Sequence, residues 1–118
     1  MDLEIRELRT SVDGTSLGIA GGMHRAPMPT SVSRGLFTLA RSAAGSLGLP
    51  EPSGVSVGGA SDGNFTAAAG CPTLDGLGAV GDGAHAEGEH VLVAALPERA
   101  ALLRQLIDEI RLAAPIPL

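Results

Sequence analysis

Residues 81–90, GDGAHAEGEH, place two histidines and three acidic side chains within ten positions of a glycine-rich stretch. Asp82, His85, Glu87, Glu89 and His90 are all residues of the kinds that ligate metals or move protons. Small residues surround His85 (Val80, Gly81, Gly83, Ala84), so its backbone can come close to a buried target. A neutral imidazole is the commonest zinc ligand, and a nearby Glu can orient it. One imidazole is not a metal site, however. Structural zinc takes four protein ligands, and catalytic zinc takes about three plus water. His85 and His90 lie five apart across a glycine and lack the helical register of H-E-x-x-H. Taken alone, His85 reads more readily as a surface or capping histidine. The loop is best understood as part of a site whose remainder lies outside this sequence.

Two further stretches carry possible chemistry. GGASDGNF, residues 58–65, follows a predicted strand and opens a predicted helix. Gly58 and Gly59 permit a sharp turn there, and Ser61 or Asp62 can cap the helix, whose first N–H groups suit a carboxylate or phosphate. An ordinary capped turn gives the same pattern, and such turns are common in α/β folds. Arg25, within GGMHRAPMP, sits in a Gly/Pro-restricted hinge and is preorganised to grip a carboxylate through two parallel hydrogen bonds. By itself it reads as an exposed loop arginine, and His24 beside it as an exposed histidine. No dinucleotide fingerprint and no phosphate-binding Walker loop occurs, and Ser61 lacks the G-x-S-x-G context of a hydrolase elbow.

The elements that must position these residues follow from hydrophobic spacing. DLEIR (2–6) and SLGIA (16–20) alternate around the turn-prone SVDGTS, predicting two antiparallel strands. Val32, Leu36, Leu39, Ala40, Ala43 and Leu47 recur at helical spacing, so residues 31–47 form an amphipathic helix, capped by Thr30 or Ser31 and ended by Gly48 and Pro50. Short strands are predicted at 54–57 and 72–75, a short helix at 63–69, and a last strand at 90–93. Pro97 and Glu98 open a closing helix with a stripe of Leu102, Leu103, Leu106, Ile107 and Ile110, stopped by Pro115. From residue 31 onward this is an α/β order with crossover helices covering a largely parallel sheet. The first 22 residues break that rhythm and read as the tail of another domain.

Composition narrows the class. The chain has 118 residues, 44% hydrophobic, with only Phe37 and Phe65 as aromatics. Its apolar content is therefore small packing units, Ala, Leu and Val. Glycine, at 17 residues, is about twice the usual share. The net charge is −5 and all eight basic residues are scattered arginines, which gives no surface for nucleic acid. Cys71 is the single cysteine; it excludes an internal disulfide, fits a reducing compartment, and reads as a small packed side chain between Gly70 and Pro72. No apolar run reaches membrane-spanning length, and a cytoplasmic location is expected.

Taken in order, GGMHRAPMP, LFTLARSAAGSLGL, VGGASDGNFTAAAGCPTLDGLGAVGDGAHAEGEHV and LPERAALLRQLIDEI resemble the co-catalytic zinc amidohydrolases and peptidases. That family includes succinyl-diaminopimelate desuccinylase, acetylornithine deacetylase, aminoacylase and bacterial glutamate carboxypeptidase, and the glutamate carboxypeptidase-like branch looks closest. The resemblance covers nearly the whole chain, and Gly58 to His90 is its specific part. It implies that residues 1–28 correspond to the last strands of a lid or dimerisation domain and the hinge, and residues 29–118 to the second half of the catalytic domain. It further implies that His85 matches a zinc ligand and Arg25 the arginine that grips the substrate carboxylate. Gly59, Ser61, Asp62 and Gly63 match the turn lining the substrate pocket, and Glu89 a supporting acidic position.

The family reaction is hydrolysis of an amide next to a carboxylate, in a peptide or an N-acyl amino acid. Two zinc ions activate a shared water and a Glu takes its proton. That chemistry needs an H-x-D, a bridging Asp and a Glu-Glu pair; neither H-x-D nor Glu-Glu occurs here. No catalytic residue is therefore assigned to this chain, and by itself it is expected to be inactive. His24 and Ala26 also stand where Asn and Pro are frequent. The expected partners are the missing half of the catalytic domain, a carboxylate-bearing substrate and further copies of the chain, with no nucleic acid and no membrane. A non-catalytic carboxylate-binding or dimerising module is the alternative. A mean hydropathy of +0.25 agrees with an apolar edge left open to association.

Overall fold

The computed structural model describes residues 2–113. Its elements are α1 (Asp2–Arg6), α2 (Thr30–Ser46), α3 (Gly63–Ala68), β1 (Gly81–Asp82), β2 (His90–Val91), a 3-10 turn (Val93–Ala95) and α4 (Leu96–Leu112). The architecture is mixed: two long helices carry the core, and a two-stranded sheet holds one loop.

The two long helices form because their periodicity and their ends agree. Ala40, Ala43 and Ala44 of α2 cluster with Leu102 and Leu106 of α4, flanked by Leu39, Leu49, Leu74, Leu77 and Ile110. At the end of α2, Gly48 adopts φ +66°. Leu49 N–H then reaches the Ala44 carbonyl at 2.9 Å and Gly48 N–H the Gly45 carbonyl at 3.1 Å. This Schellman closure satisfies the last carbonyls and returns Leu49 to the core. The short α3 closes the same way, with Gly70 at φ +81° and Cys71 N–H on the Thr66 carbonyl at 3.1 Å. Pro97 lies in the first turn of α4, where a missing N–H costs nothing, and Glu98 complements the positive helix end.

Several expectations are corrected. Residues 2–6 are helical, not extended: Arg6 Nε donates to Asp2 Oδ2 at 3.0 Å, a four-residue pairing that helical spacing allows. Residues 16–20 join no ladder, nor do 54–57 or 72–75, so the largely parallel sheet is not formed among the described residues. An isolated hairpin is marginal in water, and an extended segment becomes a strand only beside a partner. The sheet present is antiparallel, Gly81 opposite Val91 and Asp82 opposite His90. The last predicted strand shortens to His90–Val91 because the chain then turns into the 3-10 turn. The start of α2 is Pro29, without a side-chain cap from Thr30 or Ser31. Leu103 and Ile107 stand exposed beside the buried Leu102 and Leu106, and Cys71 is exposed. The expected stop at Pro115 lies outside the described residues.

The chain is spread thin. Its Cα radius of gyration is 19.7 Å, with extents of 65 × 38 × 17 Å; a compact domain of this length has about 13–14 Å. Its accessible surface is 9030 Å², where a compact protein of this mass shows roughly 5,900 Å². About 3,000 Å² more surface than a finished domain therefore faces water. Val55 and Val57, 79% and 77% exposed, are part of it.

Candidate functional site

The hinge and the glycine turn meet in space, through residues 37 to 41 apart in sequence. The Asn64 side-chain amide donates to the Ala26 carbonyl at 2.9 Å, fixing the hinge on the start of α3. Arg25 lies with its guanidinium carbon 4.5 Å from the centre of the Phe65 ring, a cation–π placement. Its Nη2 is 3.4 Å from Asp62 Oδ1. His24 packs edge-on against the same ring, centroids 5.6 Å apart. Arg25 is thus no free loop arginine: ring and carboxylate fix the guanidinium, and its side chain is 31% exposed.

The turn is held by its own side chains. Ser61 Oγ accepts from Gly63 N–H at 3.1 Å, while Ser61 N–H donates to Asn64 Oδ1 at 2.9 Å. This reciprocal pair is a capping box with Asn in the third position, so Ser61 caps α3. Asp62, already helical in backbone, makes no side-chain cap hydrogen bond and faces Arg25 instead. Gly63 must be small: a Cβ there would meet Ser61 Oγ at 3.1 Å and Thr73 Cγ2 at 3.3 Å. Gly58 and Gly59, expected to allow close backbone approach, have nothing within 4 Å of a built Cβ and no left-handed backbone. Asp75 closes the cluster. A side-chain hydrogen bond from Ser61, then the Gly76 N–H, holds its carboxyl below the usual aspartate range, against a small opposing effect of burial.

His85 sits in the loop between β1 and β2. Gly81 and Gly83 make that loop possible: a Cβ on Gly81 would collide with the His90 carbonyl, and Gly83 runs at φ +70° beside the Gly88 carbonyl. Ala86 N–H donates to the Gly83 carbonyl at 2.8 Å and Glu89 N–H to the Ala86 carbonyl at 3.1 Å. His85 itself takes φ +63°, the one non-glycine residue with a left-handed backbone among the described residues. In a residue with a Cβ such a backbone costs about 1–2 kcal/mol, and it collects at functional positions. Its ring is exposed. His90 is turned back onto its own loop, Nδ1 donating to the Gly88 carbonyl at 2.9 Å, which leaves Nε2 the acceptor. Glu87 and Glu89 are exposed.

Of the residues read from sequence, Arg25, Ser61, Asp62 and Gly63 come together; no hydrogen bond, ion pair or ring contact joins His85 to them. Phe65, Asn64 and Asp75 belong to the cluster and were not anticipated. Among the described residues no three His, Cys, Asp or Glu side chains gather into a group able to hold a metal ion. One imidazole falls short of the three protein ligands a catalytic zinc needs, so the residues of this chain do not by themselves fit that ion. No helix among the described residues is long and apolar enough to cross a membrane.

Comparison with known proteins gives one match. The model of peptidase family M20/M25/M40 matches residues 14–109, which takes in the hinge, the glycine turn, the histidine loop and most of α4. No curated protein and no solved structure matches the chain.

Proposed function

The chain belongs to peptidase family M20/M25/M40, a family of metallopeptidase and amidohydrolase-type hydrolases, and on that premise we propose that it is the carboxylate-binding share of a zinc-dependent amide hydrolase. The substrate is a peptide or an N-acyl amino acid whose carboxylate lies beside the scissile amide. Arg25 takes that carboxylate through two parallel hydrogen bonds, and the Ser61–Gly63 turn walls the pocket beside it. His85 fills one coordination position of a metal whose other ligands lie outside these 118 residues. Residues 1–28 act as hinge and lid remnant, and residues 29–118 as part of the catalytic domain, completed with a parallel sheet on association.

The observation that carries this reading is the docking of the hinge on the turn: Arg25 over Phe65 and against Asp62, secured by Asn64 on Ala26. A solvated loop arginine needs none of these. The strained backbone of His85 is a second support, since a left-handed histidine on a glycine arm is maintained against a cost.

The test is reconstitution. The chain alone should show no hydrolysis of an N-acyl amino acid and no stoichiometric zinc after purification. Mixed with a polypeptide that supplies an H-x-D, a bridging Asp and a Glu-Glu pair, it should gain both. Activity in the mixture that survives His85→Ala would remove His85 from the ligand set, and hydrolysis by the isolated chain would overturn the proposal.

A further inference from the structure

We propose that the Asp62 carboxylate is an internal stand-in for the ligand's carboxylate: it occupies Arg25 while the site is empty and must leave when a ligand binds. This rests on the reading of Arg25 as a carboxylate grip and adds a regulatory part to that site.

Four observations carry it. Asp62 Oδ1 is 3.4 Å from Arg25 Nη2, so a protein carboxylate already sits where an arginine-bound anion would. A bidentate ligand carboxylate that takes Nη2 competes with Asp62 for that nitrogen, and the like charges disfavour both sitting there together. Asp62 can leave at little cost, because its side chain is 94% exposed and Ser61, not Asp62, caps α3. The guanidinium stays in place without it, because the Phe65 ring supports its face and Asn64 ties the hinge down. Asp62 is thus a competitor rather than a contact for the substrate, and Phe65 is the residue that positions Arg25.

The competition is weak by design, since an exposed ion pair contributes little in water. Its removal should tighten carboxylate binding by up to about fivefold. The experiment titrates the isotope-labelled 118-residue chain with N-acetylglycine and follows the Arg25 Nε–H resonance. Native chain, Asp62→Asn, Asp108→Asn and Arg25→Ala are compared, with far-ultraviolet circular dichroism confirming that helix content is kept. For Arg25→Ala, the backbone amides of Ser61 to Phe65 report binding.

Asp62→Asn should bind several-fold tighter than native, Asp108→Asn, an exposed carboxylate of α4, like native, and Arg25→Ala not at all. Asp108→Asn removes the same charge outside the cluster, so equal tightening by both would mean general electrostatics and overturn the stand-in. Loss of binding in Arg25→Ala with Asp62→Asn unchanged from native would overturn the stand-in and leave the carboxylate grip intact. Native-like binding by Arg25→Ala, or no saturation by native and Asp62→Asn alike, would overturn both.

Discussion

Leu106→Ala and Ile107→Ala, neighbours on α4, should separate what holds the chain together from what it leaves uncovered. Seven apolar residues are buried among those described, and four of them are alanine. Leu106, 3% exposed, is one of the three leucines that give this core its volume. The residues clustered with it on α2 are Ala40, Ala43 and Ala44, whose single methyls cannot extend into a hole. The cavity left by Leu106→Ala therefore stays open, and the cost is about 3 kcal/mol. Ile107 is 48% exposed, so truncation there forfeits only about half of a full side-chain burial, about 1 kcal/mol. With a urea dependence of about 1.5 kcal/mol per molar, the midpoints should fall by roughly 2 M and 0.7 M respectively. Urea titration followed by far-ultraviolet circular dichroism reads both, since α2 and α4 supply most of the helix. If the native chain is stable by less than about 3 kcal/mol, Leu106→Ala unfolds it without denaturant while Ile107→Ala does not. Equal losses, or a larger one from Ile107, would refute the placement of the core between α2 and α4.

Three other perturbations have defined outcomes. Gly81→Ala drives a Cβ into the His90 carbonyl, so the Leu92 amide, bonded to the Val80 carbonyl at 2.8 Å, should lose its protection from hydrogen exchange; unchanged protection would mean that the hairpin does not need this close approach. His85→Gly relieves the backbone at φ +63° and should raise thermal stability by about 0.5–1 kcal/mol, while abolishing activity in the reconstituted mixture; a lower melting temperature would show that the imidazole itself stabilises the loop. Asp75 has its pKa depressed by Ser61 and Gly76, so its contribution is present above the unfolded value near 3.8 and is lost as pH falls through the lower folded value. The stability gap between native chain and Asp75→Asn should therefore be constant near neutrality and vanish in acid, and a gap that widened with acidification would contradict the assigned hydrogen bonds.

How much of this was legible in the sequence depends on how local each cause is. The end of α2 and the start of α4 were readable because Gly48, Pro50, Pro97 and Glu98 act within a turn of themselves. A cap of α3 at Ser61 or Asp62 was readable for the same reason, and the structure gives it to Ser61. The strands at 54–57 and 72–75 were not, because alternation records a preference for extended backbone and pairing needs a neighbour elsewhere. Residues 2–6 show the same limit from the other side: five alternating residues also fit one turn of helix, and the Asp2–Arg6 pair closes it. Phe65 and Asn64 escaped notice because their work is on Arg25 and on Ala26, 38 residues from Asn64. The available signal was that Phe65 is one of only two aromatics, placed three residues after an acidic turn.

The chemical and the physical accounts of the chain have the same shape. Chemically, one imidazole is fewer than the protein ligands a catalytic zinc takes, and no H-x-D or Glu-Glu occurs in these residues. Physically, a surface larger than a compact domain's by about 3,000 Å² is of the size buried in obligate complexes. An apolar part of that surface adjoins the chemical loops. Val91, Leu92 and Val93 continue directly from the loop that carries His85, and Val55 and Val57 lead directly into the turn that carries Ser61 and Asp62. A complementary polypeptide that covered those valines would pair strands immediately behind both chemical loops. The association that finishes the core would then also aim His85 and the Arg25 cluster, and truncating Val57 and Val93 should weaken reconstitution in step with activity while leaving the isolated chain's urea midpoint unchanged.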